Sequence, residues 1–378
     1  MTRPVDQPAR KFRICVVGLR GIPGVMGGVE KHCEELLPRI LARAPELAIE
    51  VVARRPYVEP GEAEFKGVKV TPLYAPRRQS SEAIVSTLVG ILHAARTGAD
   101  LVHIHAIGPA LLAPVAKLFG MRVVFTHHGS DYDRAKWSGF AKAMLRLGER
   151  IGIACADATV VVAPSLAEQL KAKFPSRSGR INYIPNGRPE FSGAGNANDL
   201  LGRLGVRAGD YVLGVGRLVP EKNFDALIAA HKAANSGRKL VIAGGADHES
   251  RYSRGLLEQA SDDVIFAGVQ PRDALEQLYR NCALFILPSS HEGLPITALE
   301  AGSLGCAMLL SDIQPNKDVG LPERNYFPVG DVRALADCLS AAPESFAADA
   351  AHFDRFSWDR VADETLAVYK SVLASAPR

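Results

Sequence analysis

The sequence predicts an α/β protein made of two Rossmann-like domains, each a parallel sheet with helices on both faces. Its 378 residues exceed what one hydrophobic core usually holds. Apolar runs of four to seven residues alternate with helix-length amphipathic segments, which is typical of parallel sheets. This pattern occurs twice along the chain, and a turn-rich stretch separates the two occurrences.

The apolar runs define the predicted strands and the domain boundaries. The first set is 14–17, 49–53, 68–72, 101–105, 123–126 and 159–163, and the second is 211–215, 240–243, 264–267, 283–287 and 307–310. Turn-forming Pro, Asn and Gly residues make 185–198 a linker. We therefore place one domain at 1–184 and the other at 199–354, followed by a closing segment at 355–378.

Composition predicts a cytoplasmic protein. A hydrophobic fraction of 47% and a charged fraction of 23% are ordinary for soluble proteins. The first eleven residues are polar and lack an apolar signal segment, and nowhere do 18 uncharged apolar residues run together. The six cysteines are scattered singly and are interpreted as reduced core thiols.

The net charge of +4 is unevenly distributed. Residues 1–180 contain 26 Lys and Arg against 16 Asp and Glu, whereas residues 181–378 contain 19 against 25. The basic half is either an ordinary solvated surface or a face that docks peripherally on an anionic membrane or a lipid diphosphate. Apolar helical faces near 84–92 and 110–119 leave the same choice between core packing and membrane contact. Basic residues are not interleaved with aromatics, so no nucleic-acid partner is predicted.

Two glutamates bracket a predicted helix start after the strand at 283–287. Residues 288–300 read Pro-Ser-Ser-His-Glu-Gly-Leu-Pro-Ile-Thr-Ala-Leu-Glu, so the acids are Glu292 and Glu300. Pro295 suits the first helical position, which leaves the backbone N–H groups of the following residues available to an anion. Carboxylates roughly 10 Å apart would meet hydroxyl groups on both sides of a bound diphosphate. The alternative is a helix whose acids are merely solvated.

Two cations stand beside glycines in residues 212–225, which read Val-Leu-Gly-Val-Gly-Arg-Leu-Val-Pro-Glu-Lys-Asn-Phe-Asp. We interpret this segment as a strand ending at Gly214 and Gly216, a turn with Arg217 and Lys222, and a helix start. Glycines allow close backbone approach, and two cations suit a departing nucleotide diphosphate as its charge builds. Either cation alone would be an ordinary loop residue.

Together these two segments resemble the retaining glycosyltransferases of family 4, which have the GT-B fold. The family signature is a glutamate, seven residues and a second glutamate, and a further motif reads Gly-Arg-Leu-x-x-x-Lys-Asn. The resemblance implies two facing Rossmann-like domains with a deep interdomain cleft, and a last helix that returns to the first domain. Residues 356–369 are similar to that closing segment, with Trp358 and Tyr369 as packing anchors.

The resemblance also implies roles in the second domain. Arg217 and Lys222 would stabilise the diphosphate, Glu292 would bind sugar hydroxyls, and Glu300 would accept hydrogen bonds from the ribose. Further donor contacts are implied for Gly216, Gly293, Leu294, Ile296, Thr297 and, at the base, Val269. The sequence leaves guanine and uracil open as the base.

A glycine-rich loop follows the first strand at residues 18–30. It is too long for the dinucleotide-binding turn, and two arginines stand after the second strand where that fold needs an acid. In the polysaccharide glycosyltransferases that the chain resembles, Gly27 and Gly28 would let this loop approach the donor phosphates. Arg20 is a candidate for acceptor contact. A purely structural glycine turn is the alternative.

Polar groups also crowd the end of the strand at 123–126. The family pattern of histidine, glycine, any residue and aspartate matches His128, Gly129 and Asp131. His128 would contact the donor sugar, although a histidine after a strand is often only a satisfied polar group. The candidate acceptor contacts here are Asp131, Arg134, Lys136 and Trp137.

No metal or other cofactor is predicted. His103 and His105 lie on one face of a strand, and we discount a metal there because no third ligand is identifiable. Asp131 and Asp133 resemble the metal-holding aspartates of the GT-A fold only superficially. Two cations and a helix N-terminus already neutralise the diphosphate.

The predicted activity is transfer of a hexosyl group, with retention, from a UDP- or GDP-sugar to a hydroxyl group. The acceptor would be a glycan or a polyprenyl-diphosphate-linked saccharide in surface polysaccharide synthesis. One alternative is a nucleotide-sugar epimerase with a GT-B-like fold, which needs acids placed to move a proton at carbon 2. Another is a non-catalytic nucleotide-sugar binder in a polysaccharide assembly complex.

Overall fold

The computed structural model describes residues 11–59, 61, 63–77, 79–130, 132, 138–191, 197–246 and 249–375. They form two compact units. Unit 1 comprises the chain up to Pro185 and again from Trp358, and unit 2 is Asn186–Ser357. Each unit contains one sheet with its own hydrophobic cores. The α/β class with two Rossmann-like sheets is confirmed.

Unit 1 is built around an eight-stranded sheet. Its strands are β1 Phe12–Val17, β2 Leu47–Arg54, β3 Ala63–Phe65, β4 Val68–Leu73, β5 Leu101–His105, β6 Arg122–His127, β7 Ala158–Val161 and β8 Ile181–Tyr183. They lie in the order β3-β4-β2-β1-β5-β6-β7-β8, and only the β3–β4 pair is antiparallel. The helices in the first part of the chain are α1 Gly28–Arg43, α2 Gln79–Thr97, α3 Ile107–Ala110, α4 Ala113–Leu118, α5 Gly139–Cys155 and α6 Pro164–Lys173.

Side-chain alternation along β1 explains why helices cover both faces of this sheet. Ile14 and Val16 belong to one core cluster, and Cys15 and Val17 belong to the other. Because successive strand residues point to opposite faces, a strand that is apolar at every position must be buried on both sides. The first cluster includes residues of α1, and the second includes residues of α2 to α6.

Unit 2 contains a six-stranded sheet that is parallel throughout. Its strands are β9 Tyr211–Val215, β10 Lys239–Ala243, β11 Val264–Gly268, β12 Leu284–Leu287, β13 Met308–Ser311 and β14 Tyr326–Phe327, in the order β11-β10-β9-β12-β13-β14. Its helices are α7 Ala197–Arg203, α8 Phe224–Ala234, α9 Arg251–Leu257, α10 Arg272–Asn281, α11 Ile296–Ser303, α12 Gln314–Lys317 and α13 Val332–Ser340.

The last helix, α14 Trp358–Ala374, belongs to unit 1. Trp358 and Tyr369 are 2% and 0% exposed in the same core cluster as α1. Arg43 on α1 donates to Asp359 and Asp363 on α14, each at 2.7 Å. Across the described part of the chain, no helix is both long enough and apolar enough to span a bilayer.

Each sheet reverses its strand order beside its first strand. In unit 1 the chain first builds outward from β1 through β2, and later continues on the other side of β1 with β5. In unit 2 the same reversal lies between β9 and β12. In open α/β sheets, ligands bind outside the carboxyl ends of the strands at such switch points. We refer to these places as the unit 1 and unit 2 switch points.

Candidate active site

The unit 2 switch point brings together the two motifs that the sequence singled out. Arg217 follows β9, and the next residues lead through a short 3-10 turn, Pro220–Lys222. The segment after β12 is tied to that turn, because the backbone N–H of Ser290 donates to the carbonyl of Glu221 at 2.9 Å. Asn223 adopts a left-handed conformation, with φ of 49°, and its side chain donates to the carbonyl of Pro288 at 3.1 Å.

An ion pair spans this switch point. The Nζ atom of Lys222 lies 2.5 Å from Oε1 of Glu292, and the two side chains are only 15% and 12% exposed. Partial burial strengthens the attraction, and it also makes either charge costly to leave alone. The pair therefore joins two segments, 70 residues apart in the sequence, at the carboxyl end of the sheet.

Glycines let two backbone segments, after β9 and after β10, meet beside this ion pair. A Cβ atom on Gly244, which has φ of +138°, would lie 1.9 Å from the carbonyl oxygen of Gly216. The N–H of Gly216 donates to Ala243, and the N–H of Leu218 donates to Gly245, at 3.0 and 2.9 Å. The loop that carries Arg217 is therefore fixed against the end of β10. Arg217 itself is partly buried.

The helix that follows Glu292 begins one residue later than predicted. Pro295 is the cap of α11, with ψ of 108°, because its backbone is extended and the first helical residue is Ile296. Its carbonyl accepts from Ala298 and Leu299 at 3.1 and 3.2 Å. The first N–H groups of a helix have no acceptor within it, so those at Ile296 and Thr297 remain the predicted anion contacts.

Two neighbours orient this segment. The side chain of Asn186, which is 5% exposed, donates to the carbonyl of Leu294 at 2.8 Å. That bond fixes the peptide between Leu294 and Pro295. Thr297 places a buried Oγ1 atom beside the helix start, and this oxygen has no hydrogen-bond partner among the described residues. A buried hydroxyl of this kind is commonly completed by a water or a ligand.

Glu300 is held by a tyrosine. The hydroxyl of Tyr279 on α10 donates to Oε2 of Glu300 at 2.8 Å. Burial, and then the nearby Glu300 carboxylate, raises the pKa of Tyr279 well above its usual value, so the phenol stays a donor. The hydrogen bond from Tyr279 therefore fixes the orientation of the Glu300 carboxylate.

Val269 directly follows the last residue of β11. It is 64% exposed, and one of its methyl carbons lies 2.8 Å from where a Cβ atom on Gly245 would be. Its neighbours along the sheet edge are thus the glycines that follow β10. An exposed apolar side chain here is compatible with stacking against a flat base, which stays a prediction.

In unit 1, the predicted glycine pair forms the start of α1. Gly27 is the cap and Gly28 the first helical residue. Arg20 is engaged by Glu30, which accepts from its backbone N–H at 3.0 Å and from its Nε at 3.1 Å. Glu30 is 5% exposed, so this pair ties the loop to the helix. A direct acceptor contact by Arg20 would compete with that pairing.

His128 belongs to a cluster of imidazoles at the unit 1 switch point. One ring nitrogen each from His32, His105 and His128 lies within 4.8 Å of the others. His105 Nδ1 and His128 Nε2 are hydrogen-bonded at 2.8 Å. Burial lowers the pKa of His105 and His128 well below the usual histidine value, so both are neutral at neutral pH.

The sequence analysis sought a third ligand for His103 with His105, whereas the structure groups His105 with His32 and His128. His32 lies on α1 and His128 follows β6, and the order of strands in the sheet brings both beside His105. His103 has a different role, since its ring nitrogens bond to the hydroxyls of Tyr369 and Thr126, both at 2.6 Å. Burial lowers its pKa to about 3.

A charged group adjoins this cluster. Nε2 of His127 donates to Glu149 at 3.3 Å, because its Nδ1 accepts from the N–H of Gly129. Lys173 and Tyr132 also donate to the fully buried Glu149. Burial alone would raise the pKa of Glu149, but the bonds from His127 and Lys173 outweigh it and lower the pKa to about 2. The remaining predicted acceptor contacts, Asp131, Arg134, Lys136 and Trp137, lie outside the described residues.

Comparison with known families agrees with this division. The family model "Glycosyltransferase Family 4" matches residues 26–189, and "Glycosyl transferases group 1" matches residues 207–342. Both motifs of the unit 2 switch point lie within the second match. The chain is a family 4-like glycosyltransferase of the GT-B fold.

Individual relatives of this glycosyltransferase are distant but cover it almost fully. A D-inositol 3-phosphate glycosyltransferase of Acidothermus cellulolyticus is 26% identical, over 93% of this chain and 88% of the relative. The structure of sucrose-phosphate synthase from Thermosynechococcus elongatus has a TM-score of 0.80 at 20% identity, with 97% of this chain and 100% of that one covered. Anabaena HepE in complex with UDP-glucose gives 0.71 at 16% identity, with 95% and 99% covered.

The structure adds residues of the glycosyltransferase that sequence reasoning missed. Gly244 fixes the Arg217 loop, Asn186 and Tyr279 orient the glutamate segment, and Glu30 engages Arg20. Asn186 fell within the predicted linker. The glycine pair after β10 was visible in the sequence as a turn signal at a strand end.

Proposed function

We propose that this glycosyltransferase moves a hexosyl group from a UDP- or GDP-sugar to a hydroxyl group of a glycan or lipid-linked saccharide, with retention at the anomeric carbon. The observation that carries the proposal is the Lys222–Glu292 ion pair at the unit 2 switch point, next to Arg217 and the start of α11. Cations, N–H groups and a carboxylate at one sheet edge match a diphosphate joined to a polyol.

In the proposed reaction, the bond between the anomeric carbon and the diphosphate oxygen breaks. The acceptor oxygen forms its bond to the same face of that carbon, and the acceptor proton passes to the departing phosphate oxygen. Arg217 and Lys222 stabilise the negative charge that develops on the diphosphate. The products are a nucleoside diphosphate and a glycoside.

The ion pair suggests how the site responds to the donor. Before the donor binds, Glu292 neutralises Lys222 at 2.5 Å. When the diphosphate arrives, it takes over the ammonium group, and the carboxylate becomes available to sugar hydroxyls. Glu300, fixed by Tyr279, accepts from the ribose. The predicted donor contacts of His128, Gly27, Gly28 and Val269 stay predictions.

A thermal-shift panel tests the donor site. Purified protein is heated with UDP, GDP, ADP, dTDP and their sugar conjugates, since a ligand at a hundred times its Kd adds about 2.7 kcal/mol of stability. We expect one nucleotide family to stabilise the wild type and Lys232→Ala, which changes an exposed lysine on α8. Lys222→Ala should lose the shift. A response to no nucleotide, or an equal response in both variants, contradicts the proposal.

We also propose that transfer needs no metal ion, because the side chains and N–H groups described above supply the countercharge. Adding EDTA to an active assay should leave turnover undiminished. Complete loss of turnover that magnesium or manganese restores would show the opposite.

Membrane attachment at the cytoplasmic face is a further part of the proposal. The exposed side of α5 carries Phe140 and Leu147, which are 78% and 42% exposed, together with the exposed Arg146 and Arg150. These positions recur at helical spacing, so apolar and basic groups share one stripe. Such a stripe suits an anionic lipid surface, and it agrees with the basic first half of the sequence.

Liposome flotation with anionic lipid tests this attachment. We expect the wild type to float at low salt and the double variant Phe140→Ser with Leu147→Ser to remain at the bottom. Leu257→Ser, at a residue 49% exposed in unit 2, is the matched control and should float. No flotation of the wild type at low salt removes the membrane proposal.

A further inference from the structure

The imidazole cluster at the unit 1 switch point has the composition of a metal-binding site. His32, His105 and His128 come from α1, the end of β5 and the loop after β6. Their ring centroids are 5.0, 5.2 and 5.7 Å apart. Three histidines that converge from three separate elements are the ligand set of an open zinc site, in which a water or another small ligand takes the fourth position.

The distances fit an ion after small side-chain shifts. Zinc–nitrogen bonds of about 2.0–2.1 Å in a tetrahedron place the ligand nitrogens roughly 3.3 Å apart. The 2.8 Å separation of His105 Nδ1 and His128 Nε2 is slightly shorter, and the 4.8 Å limit on the whole set is longer. The hydrogen bond explains why two of the rings approach. The His32 ring meets both of them in edge-to-face geometry, with interplanar angles of 62° and 85°.

Cys33 and His103 contact the imidazole ring of His105, the middle ligand of the proposed set. Sγ of Cys33 lies 3.6 Å from His105 Nε2, the nitrogen that does not face His128. His103 packs on the same ring with centroids 4.1 Å apart, and it is itself held by Tyr369 and Thr126. A partner on the second ring nitrogen fixes the tautomer of a metal-binding histidine.

Access to the cluster is from the side of His128. His32 and His105 are 2% and 0% exposed, whereas His128 is partly exposed. Solvent, and with it an ion, therefore meets the cluster from the His128 side.

We propose that His32, His105 and His128 bind one divalent transition-metal ion of the zinc type through one imidazole nitrogen each. Zinc, cobalt and nickel suit imidazole ligands, whereas magnesium and calcium prefer oxygen. Binding needs no donor or acceptor and is independent of the proposed transferase reaction. One consequence does rest on that reaction: the ion occupies the histidine that family resemblance assigns to the donor sugar, so it inhibits transfer.

Cobalt is the probe for binding. Full-length protein, first treated with EDTA and freed of it, is titrated with Co²⁺ and followed by visible absorption. We expect one ion per chain with the intense bands of four-coordinate Co²⁺, displaced by Zn²⁺, and without a near-ultraviolet charge-transfer band from a thiolate. No cobalt binding by the wild type, or a thiolate band that implicates Cys33, overturns the three-imidazole assignment.

Variants assign the ligands. His32→Gln and His105→Gln should each weaken cobalt binding at least tenfold, whereas His352→Gln should bind like the wild type, since His352 lies in unit 2 and bonds to the carbonyl of Val319. Wild-type affinity in a folded His32→Gln or His105→Gln protein contradicts the site. If neither variant folds, the wild-type spectrum and stoichiometry still decide.

The inhibitory consequence is measured separately, as loss of turnover on adding Zn²⁺ and recovery with EDTA. Metal binding without any effect on an active enzyme refutes the consequence alone. Inactivity of the metal-free protein with every donor argues against the proposed function and leaves the cobalt result intact.

Discussion

The two switch points occupy equivalent places in their sheets but carry opposite chemistry. At the unit 2 switch point, Lys222 and Glu292 are charged and meet beside Arg217 and a helix start. At the unit 1 switch point, buried imidazoles dominate, and burial keeps His105 and His128 neutral. The same topology thus supports a site that can stabilise developing charge and a site rich in neutral nitrogen ligands. Side chains, rather than the strand order, decide the difference.

Glycines lie at the carboxyl end of the first strand in both sheets. A Cβ atom on Gly18, which has φ of +99°, would lie 2.3 Å from the carbonyl of His105, as one on Gly244 would lie against Gly216. In unit 1 the residue after β1 therefore approaches the last residue of β5, across the switch point, whereas in unit 2 the residue after β9 approaches the residue after β10, on the side of β9 away from β12. Close backbone approach at the carboxyl end of the first strand is the feature that the two units share.

Of the changes at the charged switch point, removal of the Arg217 guanidinium group should have the largest effect on activity. We expect Arg217→Ala to reduce kcat about a hundredfold or more with an unchanged Tm, by analogy with the loss of one transition-state donor. Arg207→Ala, at an exposed arginine of the same unit, is the control and should retain activity. Near-normal turnover in Arg217→Ala would refute the role assigned to this residue.

A smaller loss of activity is expected when one methyl group is added at Gly216. In Gly216→Ala the new Cβ atom would lie 3.2 and 3.3 Å from the Cε and Cδ atoms of Lys222, so the ammonium group must move. We expect kcat to fall about tenfold, equivalent to about 1.4 kcal/mol. Gly255→Ala on α9, where a Cβ atom meets no heavy atom within 4 Å, should show no change. Equal kinetics in the two variants would mean that Lys222 tolerates displacement.

Glu149 is a charged side chain next to the neutral imidazoles. The pH dependence of stability tests its lowered pKa. Its pKa of about 2 in the folded protein lies below the ordinary 4.5, so its stabilising contribution is complete above pH 4.5 and is lost as the pH falls toward 2. Between pH 6 and pH 3.5, wild type should lose on the order of 1 kcal/mol more stability than Glu149→Gln. Urea unfolding at both pH values measures this difference. Parallel losses in the two proteins would contradict the shifted pKa.

The smallest expected effect concerns the orientation of Glu300. Tyr279→Phe removes the hydroxyl that donates to Glu300 at 2.8 Å and keeps the packed ring. We expect KM for the donor to rise about threefold, roughly the 0.6 kcal/mol at the low end for one hydrogen bond, with kcat nearly unchanged. Tyr252→Phe, which removes a hydroxyl bonded to Asp225, is the matched control. A fall in kcat with constant KM would place Tyr279 closer to the chemistry.

The eleven strands predicted from apolar runs all exist, whereas β3, β8 and β14 were missed. These three are two or three residues long and lie at sheet edges. Short edge strands carry no continuous apolar run, because only buried strands need one on both faces. Local pattern therefore predicts strands that carry a continuous apolar run, including β11 at the edge of its sheet, and misses the short edge strands.

The same limit applies to the candidate sites. Arg217, Lys222 and Glu292 could be named as candidates because each lies in a compact motif. His32 and Asn186 were not, since their partners His105 and Leu294 are far away in the sequence and are met only through the fold. Contacts between residues so far apart leave no spacing rule for sequence reasoning to use.

Helix α14 imposes an order on biosynthesis. Its apolar residues, Trp358 and Tyr369 among them, complete a core whose remaining members lie in the first half of the chain, and all of unit 2 is translated before this helix. A ribosome therefore releases every residue of unit 2 while unit 1 still exposes the apolar surface that α14 will cover. In this protein the amino-terminal unit is the last to be completed, although domains more often fold in the order in which they emerge.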